Sequence, residues 1–438
     1  MTHTRRSFLQ KTGMLLGAFS AQSLFNELHA ATFDALQEKA AGKSAEEIAS
    51  DEDYWATIQQ AYSLDPNMIY LNSGGMSPAP KVVQEALHRY NDLTNKGPYY
   101  YMVKVLDQGK EPLRQKLAKL AGADTEEIAL LRNCTEGLNN VILGLPLKRG
   151  DEVIGCRLDY INAVNSWKQR AAREGIVYHR IDLPAAQEND DAIVKAFEKA
   201  ITPKTKLLHI THVINWTGQI LPVKKITAMA AKHGVATLVD GAHSFGLLDF
   251  EIPELGCDYF SASLHKYLCA PIGSGMLWVK KSKISAIWPI NGVENPQSDN
   301  IRKFESFGTH SSAIEQAIGE AINFHETIGV QHKQARMNFL TRYWTTAAQK
   351  RIPGFSLITP ADSSRHCAIA AFTVDGVESK WYNHYLFVDY KVIVTTVNWE
   401  NINCLRVSPN IFTSLQDLDK LVDALVILTE KSRTTPKQ

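Results

Sequence analysis

Two charged residues in this chain each stand where an apolar run ends. Asp240 closes Ala236-Thr-Leu-Val-Asp240, and Lys266 follows Tyr259-Phe-Ser-Ala-Ser263 just before the turn Ala270-Pro-Ile-Gly-Ser-Gly275. Alone, Lys266 reads as a surface lysine and Asp240 as a helix N-cap. Together they supply what pyridoxal phosphate (PLP) requires. A lysine amine forms a Schiff base with the aldehyde, and a carboxylate keeps the pyridine nitrogen protonated so that the ring can draw electrons. The lysine must also lose its proton, which burial promotes by lowering its pKa. A dinucleotide site on Gly273-Ser-Gly275 is excluded by context, because Met276-Leu-Trp-Val279 continues as a strand where a helix would have to open.

The cofactor's phosphate needs a cup. Asn133-Cys-Thr-Glu-Gly137 lies between the apolar run Glu127-Ile-Ala-Leu-Leu131 and the helical run Leu138-Asn-Asn-Val-Ile-Leu-Gly144. Amides at a helix N-terminus favour a dianion, and the Thr135 hydroxyl adds a donor, so Cys134, Thr135 and Glu136 are the expected cup. Plain N-capping is the alternative reading of the same residues.

These residues resemble class V of the fold-type I PLP enzymes, a group that includes cysteine desulfurases, serine-glyoxylate aminotransferases, kynureninase and isopenicillin N epimerase. The matching motifs are Val239-Asp-Gly-Ala-His-Ser244, Ser263-Leu-His-Lys266 and Ala270-Pro-Ile-Gly-Ser-Gly-Met-Leu277. The spelling is most similar to the isopenicillin N epimerase-like branch, and the resemblance runs from about Ile69 to the C-terminus.

The resemblance implies further roles. Ser263 and His265 become phosphate-side contacts. Asn215, in Thr211-His-Val-Ile-Asn-Trp-Thr-Gly218, becomes the donor to the PLP phenolic oxygen, with a turn residue as the alternative. His243 stands where desulfurases carry glutamine, facing the phenolic oxygen or the substrate, and an imidazole there could relay a proton. Tyr160, or Asn162 in the same loop, would stack on the ring. Arg406, in Cys404-Leu-Arg-Val-Ser-Pro409, would grip a substrate carboxylate with its planar fork. Thr309, in Phe307-Gly-Thr-His310, would reach the phosphate of a neighbouring subunit, which implies a homodimer with shared sites. Asn72 opens the loop Asn72-Ser-Gly-Gly-Met-Ser-Pro78 on the substrate side. Desulfurases need a mobile cysteine ahead of the carboxylate arginine, and Val394-Thr-Thr-Val-Asn-Trp399 has none.

The elements that must position these groups follow from the pattern. Near-continuous apolar runs at 127–131, 152–155, 176–179, 207–213 and 236–240 alternate with helical stretches, which predicts βαβ units and a mostly parallel sheet with ligands at its carboxyl edge. A helical stretch from about 312 to 350 leads to a strand over 368–374 and a final helix over 415–428. The expected architecture is α/β: a large PLP-binding domain over 67–315, a smaller C-terminal α+β domain over 316–438, and an N-terminal arm over 32–66.

Residues 1–31 read differently. Thr4-Arg-Arg-Ser-Phe-Leu9 precedes the weakly apolar Gly13-Met-Leu-Leu-Gly-Ala-Phe-Ser-Ala21, with a possible cleavage site at Leu28-His-Ala30. This resembles a twin-arginine signal and predicts export to the periplasm by that machinery, without a stable membrane anchor; a short amphipathic helix is the alternative.

With 438 residues, a net charge of +1 and 21% charged residues, the chain can bury two cores and gives no electrostatic case for nucleic acid. The six cysteines are isolated, and the histidines lack zinc-site spacing, so no metal is expected. The expected function is a PLP enzyme acting on the amino group of an amino acid or peptide-like metabolite. Transamination comes first, an epimerase or a carbon–sulfur or β-elimination lyase is the alternative, and a non-catalytic PLP-binding protein is the remaining class.

Overall fold

The computed structural model describes residue 36 and residues 38–434. The twin-arginine motif and the cleavage site lie outside the described residues.

The arm contributes two short helices, α1 (Ala45–Ala49) and α2 (Glu52–Gln59), capped by Ser44 and Asp51. Their apolar residues Ile48, Trp55 and Ile58 share one buried cluster with Leu340, Trp344 and Leu421 from the C-terminal part. The arm is thus part of the second core. Next come β1 (Ile69–Tyr70), α3 (Lys81–Asn95) and α4 (Lys110–Ala121).

Then the alternation begins: β2 (Ile128–Leu131), α5 (Cys134–Gly144), β3 (Glu152–Cys156), α6 (Ile161–Glu174), β4 (Val177–Ile181), α7 (Asp190–Ala200), β5 (Thr205–Thr211), α8 (Val223–Lys232), β6 (Ala236–Asp240), β7 (Tyr259–Ser263) and β8 (Gly275–Val279). The strands form one sheet in the order β2-β8-β7-β6-β5-β3-β4. β8 runs antiparallel to β7 and β2, while the pairings from β7 through β4 are parallel. Strands β2, β7 and β8 are buried throughout and only the edge strand β4 is half-exposed, as a sheet covered on both faces requires. Asp240 pairs with Thr211 and Ser261, which places the ends of β5, β6 and β7 side by side at the carboxyl edge.

The helical stretch after residue 311 is two helices, α9 (Ser312–Ile328) and α10 (Val330–Arg351), separated at Gly329, whose φ of +83° lies in the region glycine tolerates. β9 (Phe355–Leu357), β10 (Ala370–Val374), α11 (Ser379–Tyr390), β11 (Val392–Ile393), β12 (Thr395–Trp399), β13 (Ile402–Val407) and α12 (Leu415–Thr434) complete the chain. β10 starts two residues later than the apolar run because Ala368 is left-handed at φ +62°. The second sheet is antiparallel in the order β12-β13-β10-β9. β1 pairs in parallel with β11, and Asn72 bridges Ser408, so the loop after β1 is sewn to the C-terminal sheet.

Candidate active site

The carboxyl edge of the large sheet carries one wall of the site. Asp240 ends β6, and its Oδ1 accepts from Ala242 N at 2.9 Å and from Cys134 Sγ at 3.4 Å. The cup forms as β2 turns into α5. Asn133 caps the helix by accepting from Glu136 N at 2.9 Å, so the helix opens at Cys134. Cys134 N donates to Ser263 Oγ at 3.0 Å, which joins the cup to the end of β7. Two glycines allow that approach. A Cβ on Gly275 would lie 2.5 Å from the Asn133 backbone, and one on Gly137 would lie 2.2 Å from Ser261 Oγ.

The structure sorts the predicted cup residues. Thr135 sits half-buried in the first turn of α5, and among the described residues its hydroxyl has no partner. Glu136 does not face the cup: its carboxylate pairs with Arg132, and its amide is taken by Asn133. An i,i+4 partner of opposite charge explains the turn away.

Lys266 lies in the tight connection from β7 to β8. Leu264 N donates to Ser274 O, Ala270 N to Leu264 O and Cys269 N to Lys266 O, each at 3.0–3.1 Å, with Cys269 left-handed at φ +58°. His265 braces this loop, its Nδ1 3.1 Å from Ser274 O. Burial pulls the Lys266 amine down to about 8, against Asp240 and Cys134, which favour its charged form. His243 reaches it from the turn after β6: Nε2 lies 3.0 Å from Lys266 Nζ and 2.8 Å from Gly74 O. Burial, then the neighbouring Lys266 and Arg406, hold the imidazole well below its ordinary pKa. Tyr160, just ahead of α6, presents its ring 6.0 Å from Lys266 Nζ, while Asn162, two residues on, donates to the Tyr160 hydroxyl at 3.3 Å.

The opposite wall comes from distant segments. Arg406 on β13 donates through Nη1 to Asn215 O at 2.9 Å and through Nη2 to Asn72 Oδ1 at 2.7 Å. Thr395 on β12 donates to the same Asn72 oxygen at 2.6 Å. Ser408 fixes the loop by accepting from Ser73 N and Gly74 N, and Asn410 donates to Ser77 Oγ. Thr395, Ser408, Gly74 and Asn410 were not singled out in the sequence; the only signal was the Ser-Gly-Gly loop that they hold. Thr309 is exposed and stands apart from this cluster, while the neighbouring Phe307 packs on Arg132 at 5.1 Å. His209 is buried at the Trp167 indole, and His212 packs on Phe250.

Among the described residues, the buried Asn215 side-chain oxygen and Arg406 Nε have no hydrogen-bond partner. An amide turned by 180° presents a donor in the same place. A buried amine at Lys266, a carboxylate at Asp240, a helix N-terminus beside the Thr135 hydroxyl and an unpartnered amide form the set of groups that a phosphorylated pyridine aldehyde requires.

The Aminotransferase class-V family matches residues 69–419. The chain belongs to that family. It is a PLP-dependent class V enzyme, and the residues above fit the cofactor. Isopenicillin N epimerase of Streptomyces clavuligerus is 27% identical over 392 residues, covering 86% of this chain and 98% of that protein. A probable cysteine desulfurase of Halalkalibacterium halodurans is 30% identical over 328 residues, covering 71% and 78%. Among solved structures, the apo cysteine desulfurase of Thermococcus onnurineus superposes with a TM-score of 0.76 at 22% identity, covering 87% of this chain and 98% of that one. The cystine C–S lyase C-DES in complex with cysteine persulfide gives 0.75 at 23%, covering 82% and 98%. These two structures establish the fold-type I architecture.

Proposed function

We propose that the protein binds an α-amino acid, free or at the end of a peptide-like metabolite, that Lys266 removes its α-proton from one face, and that a proton delivered to the opposite face inverts the carbon. The convergence of Lys266, Asp240 and Arg406 on one site carries this reading. Arg406 Nε, the unpartnered edge of a buried guanidinium, is the group to meet the substrate carboxylate, while Nη1 and Nη2 are held by Asn215 and Asn72. Lys266 is the base, and with its pKa near 8 a useful share is uncharged at neutral pH. Asp240 would hold the ring nitrogen's proton, Thr135 and Ser263 the phosphate, Asn215 the phenolic oxygen, and Tyr160 the ring face. When bound, PLP supplies the electron sink that makes an α-proton acidic.

Inversion is favoured over carbon–sulfur cleavage by two observations. The epimerases align over 98–99% of their own length, the two probable desulfurases at 30% identity over 77–78% of theirs. Cys404, the nearest cysteine to Arg406 in sequence, is buried in β13 with its thiol pushed up to about 12, which leaves no thiolate to attack sulfur. Transamination uses the same lysine and clamp and differs in the carbon that receives the proton. Incubating the PLP-loaded protein in D2O with free and peptide-linked amino acids separates them. Deuterium at the α-carbon with inverted configuration is expected; a keto product with stoichiometric pyridoxamine phosphate would replace inversion by transamination.

The proposal extends to location and assembly. The Arg5-Arg6 motif supports export of the folded, cofactor-loaded enzyme to the periplasm. Exposed Tyr99, Tyr100 and Ile272, with Thr309 also at the surface, support a homodimer. A reporter fused after residue 31 tests the first, and sedimentation the second.

A further inference from the structure

One imidazole nitrogen in the site has two neighbours that make incompatible demands. Gly74 O, 2.8 Å from His243 Nε2, can only accept, so the nitrogen facing it must carry a hydrogen. Lys266 Nζ stands 3.0 Å from that same nitrogen. An ammonium there would point its hydrogens at an N–H, whereas a neutral amine can accept from it. If instead Nε2 were bare and accepted from an ammonium, its lone pair would face the Gly74 carbonyl oxygen at 2.8 Å.

The carbonyl cannot easily turn aside. Gly74 N donates to Ser408 Oγ at 3.0 Å, and Ser73 N to Ser408 O at 2.9 Å. A Cβ on Gly74 would already meet Ser408 Oγ at 3.2 Å and Ile369 at 3.4 Å, so the loop is packed against the C-terminal sheet. The acceptor that fixes the tautomer is therefore held by a residue two positions beyond Arg406.

We infer that His243 is a positioning residue which, locked by Gly74 O as its Nε2–H tautomer, favours the uncharged form of Lys266 that captures the PLP aldehyde. The inference rests on the reading of Lys266 as that amine. It assigns His243 a role toward the lysine, where the sequence placed it at the phenolic oxygen or the substrate. Other charged or titratable groups also face the pair: Asp240 from β6, Cys134 from α5, Arg406 from β13, Tyr160 ahead of α6 and His265 beside Lys266. All remain when His243 alone is changed, so a shift on substitution belongs to the imidazole.

The test is the rate at which PLP is captured by the full-length apoenzyme, followed by absorbance from pH 6 to 10, for wild type and His243→Gln. The glutamine can turn its carbonyl toward an ammonium, so the midpoint of the rate profile is expected to rise by about one pH unit, with about tenfold slower capture at pH 7. An evenly lower rate with an unchanged midpoint would make His243 merely structural and overturn the inference. A lowered midpoint would overturn it too, by making His243 an acceptor from the ammonium. Wild-type protein that captures no PLP at any pH would refute the functional reading first. Should the variant misfold, ¹⁵N-histidine spectra of wild-type apoenzyme decide. The histidine signal that moves on PLP capture is expected to show a protonated Nε2 and a bare Nδ1; the reverse pattern overturns the inference.

Discussion

The two walls of the site are built by different means. Asp240, Ser263 and the α5 cup stand at the ends of neighbouring buried strands, so their spacing follows from the sheet's hydrogen-bond register. Asn72, Thr395, Arg406 and Ser408 come from the loop after β1 and from two strands of the second sheet, and side-chain hydrogen bonds set their places. The first wall suits a cofactor whose shape does not vary. The second places Arg406, the proposed carboxylate clamp, where its position can be tuned by a few polar contacts, which is where substrate preference can change without disturbing the cofactor.

Breaking the strand-built wall should cost most. Lys266→Ala should lower turnover by about 10²–10⁴-fold or more, the range a positioned general base contributes, in a chiral assay of the natural substrate. Asp240→Asn should leave the lysine in place yet lower kcat by about 10²–10³-fold, because the fixed charge proposed to hold the ring nitrogen's proton is lost. Damage to the loop-built wall should appear in KM. Arg406→Lys should raise KM for carboxylate substrates about tenfold to a hundredfold while PLP uptake stays normal, since an ammonium loses the fork that also holds Asn72 and Asn215. Thr395→Val should raise KM only a few-fold, the worth of one hydrogen bond.

The depressed pKa of Lys266 gives a sign that can be checked on stability. In the folded apoenzyme the amine titrates near 8, against an ordinary 10.5, so at pH 7 folding must keep a proton where burial disfavours it. The cost is full below pH 8 and is lost as pH rises to 10.5. Lys266→Met apoenzyme should therefore melt above wild type at pH 7, and the gap should narrow across that window in a calorimetric series.

The same contrast explains what the sequence could reveal. Asp240 and Lys266 were legible because an apolar run that stops at a charged residue marks a strand end, and strand ends in a parallel sheet gather at one edge. The partners of Arg406 were not, because Asn72 lies 334 residues away and no local pattern encodes a pairing across that distance. Glu136 was expected at the cup on the strength of its helix position. Its sequence neighbour Arg132, four residues earlier and of opposite charge, decided its direction. For His243 the position after Asp240 was clear, but the turn that aims the ring at Gly74 and Lys266 depends on a loop held from the other sheet. The break at Gly329 was hidden inside a continuous helical pattern, because the residue can serve as either a helix interior or a stop.

The most direct measurement is reduction of the PLP-loaded protein with borohydride, followed by peptide mapping. The expected result is a single phosphopyridoxyl group on the peptide containing Lys266, absent from Lys266→Ala. A label on another lysine, or none despite supplied PLP, would contradict the assignment of this site.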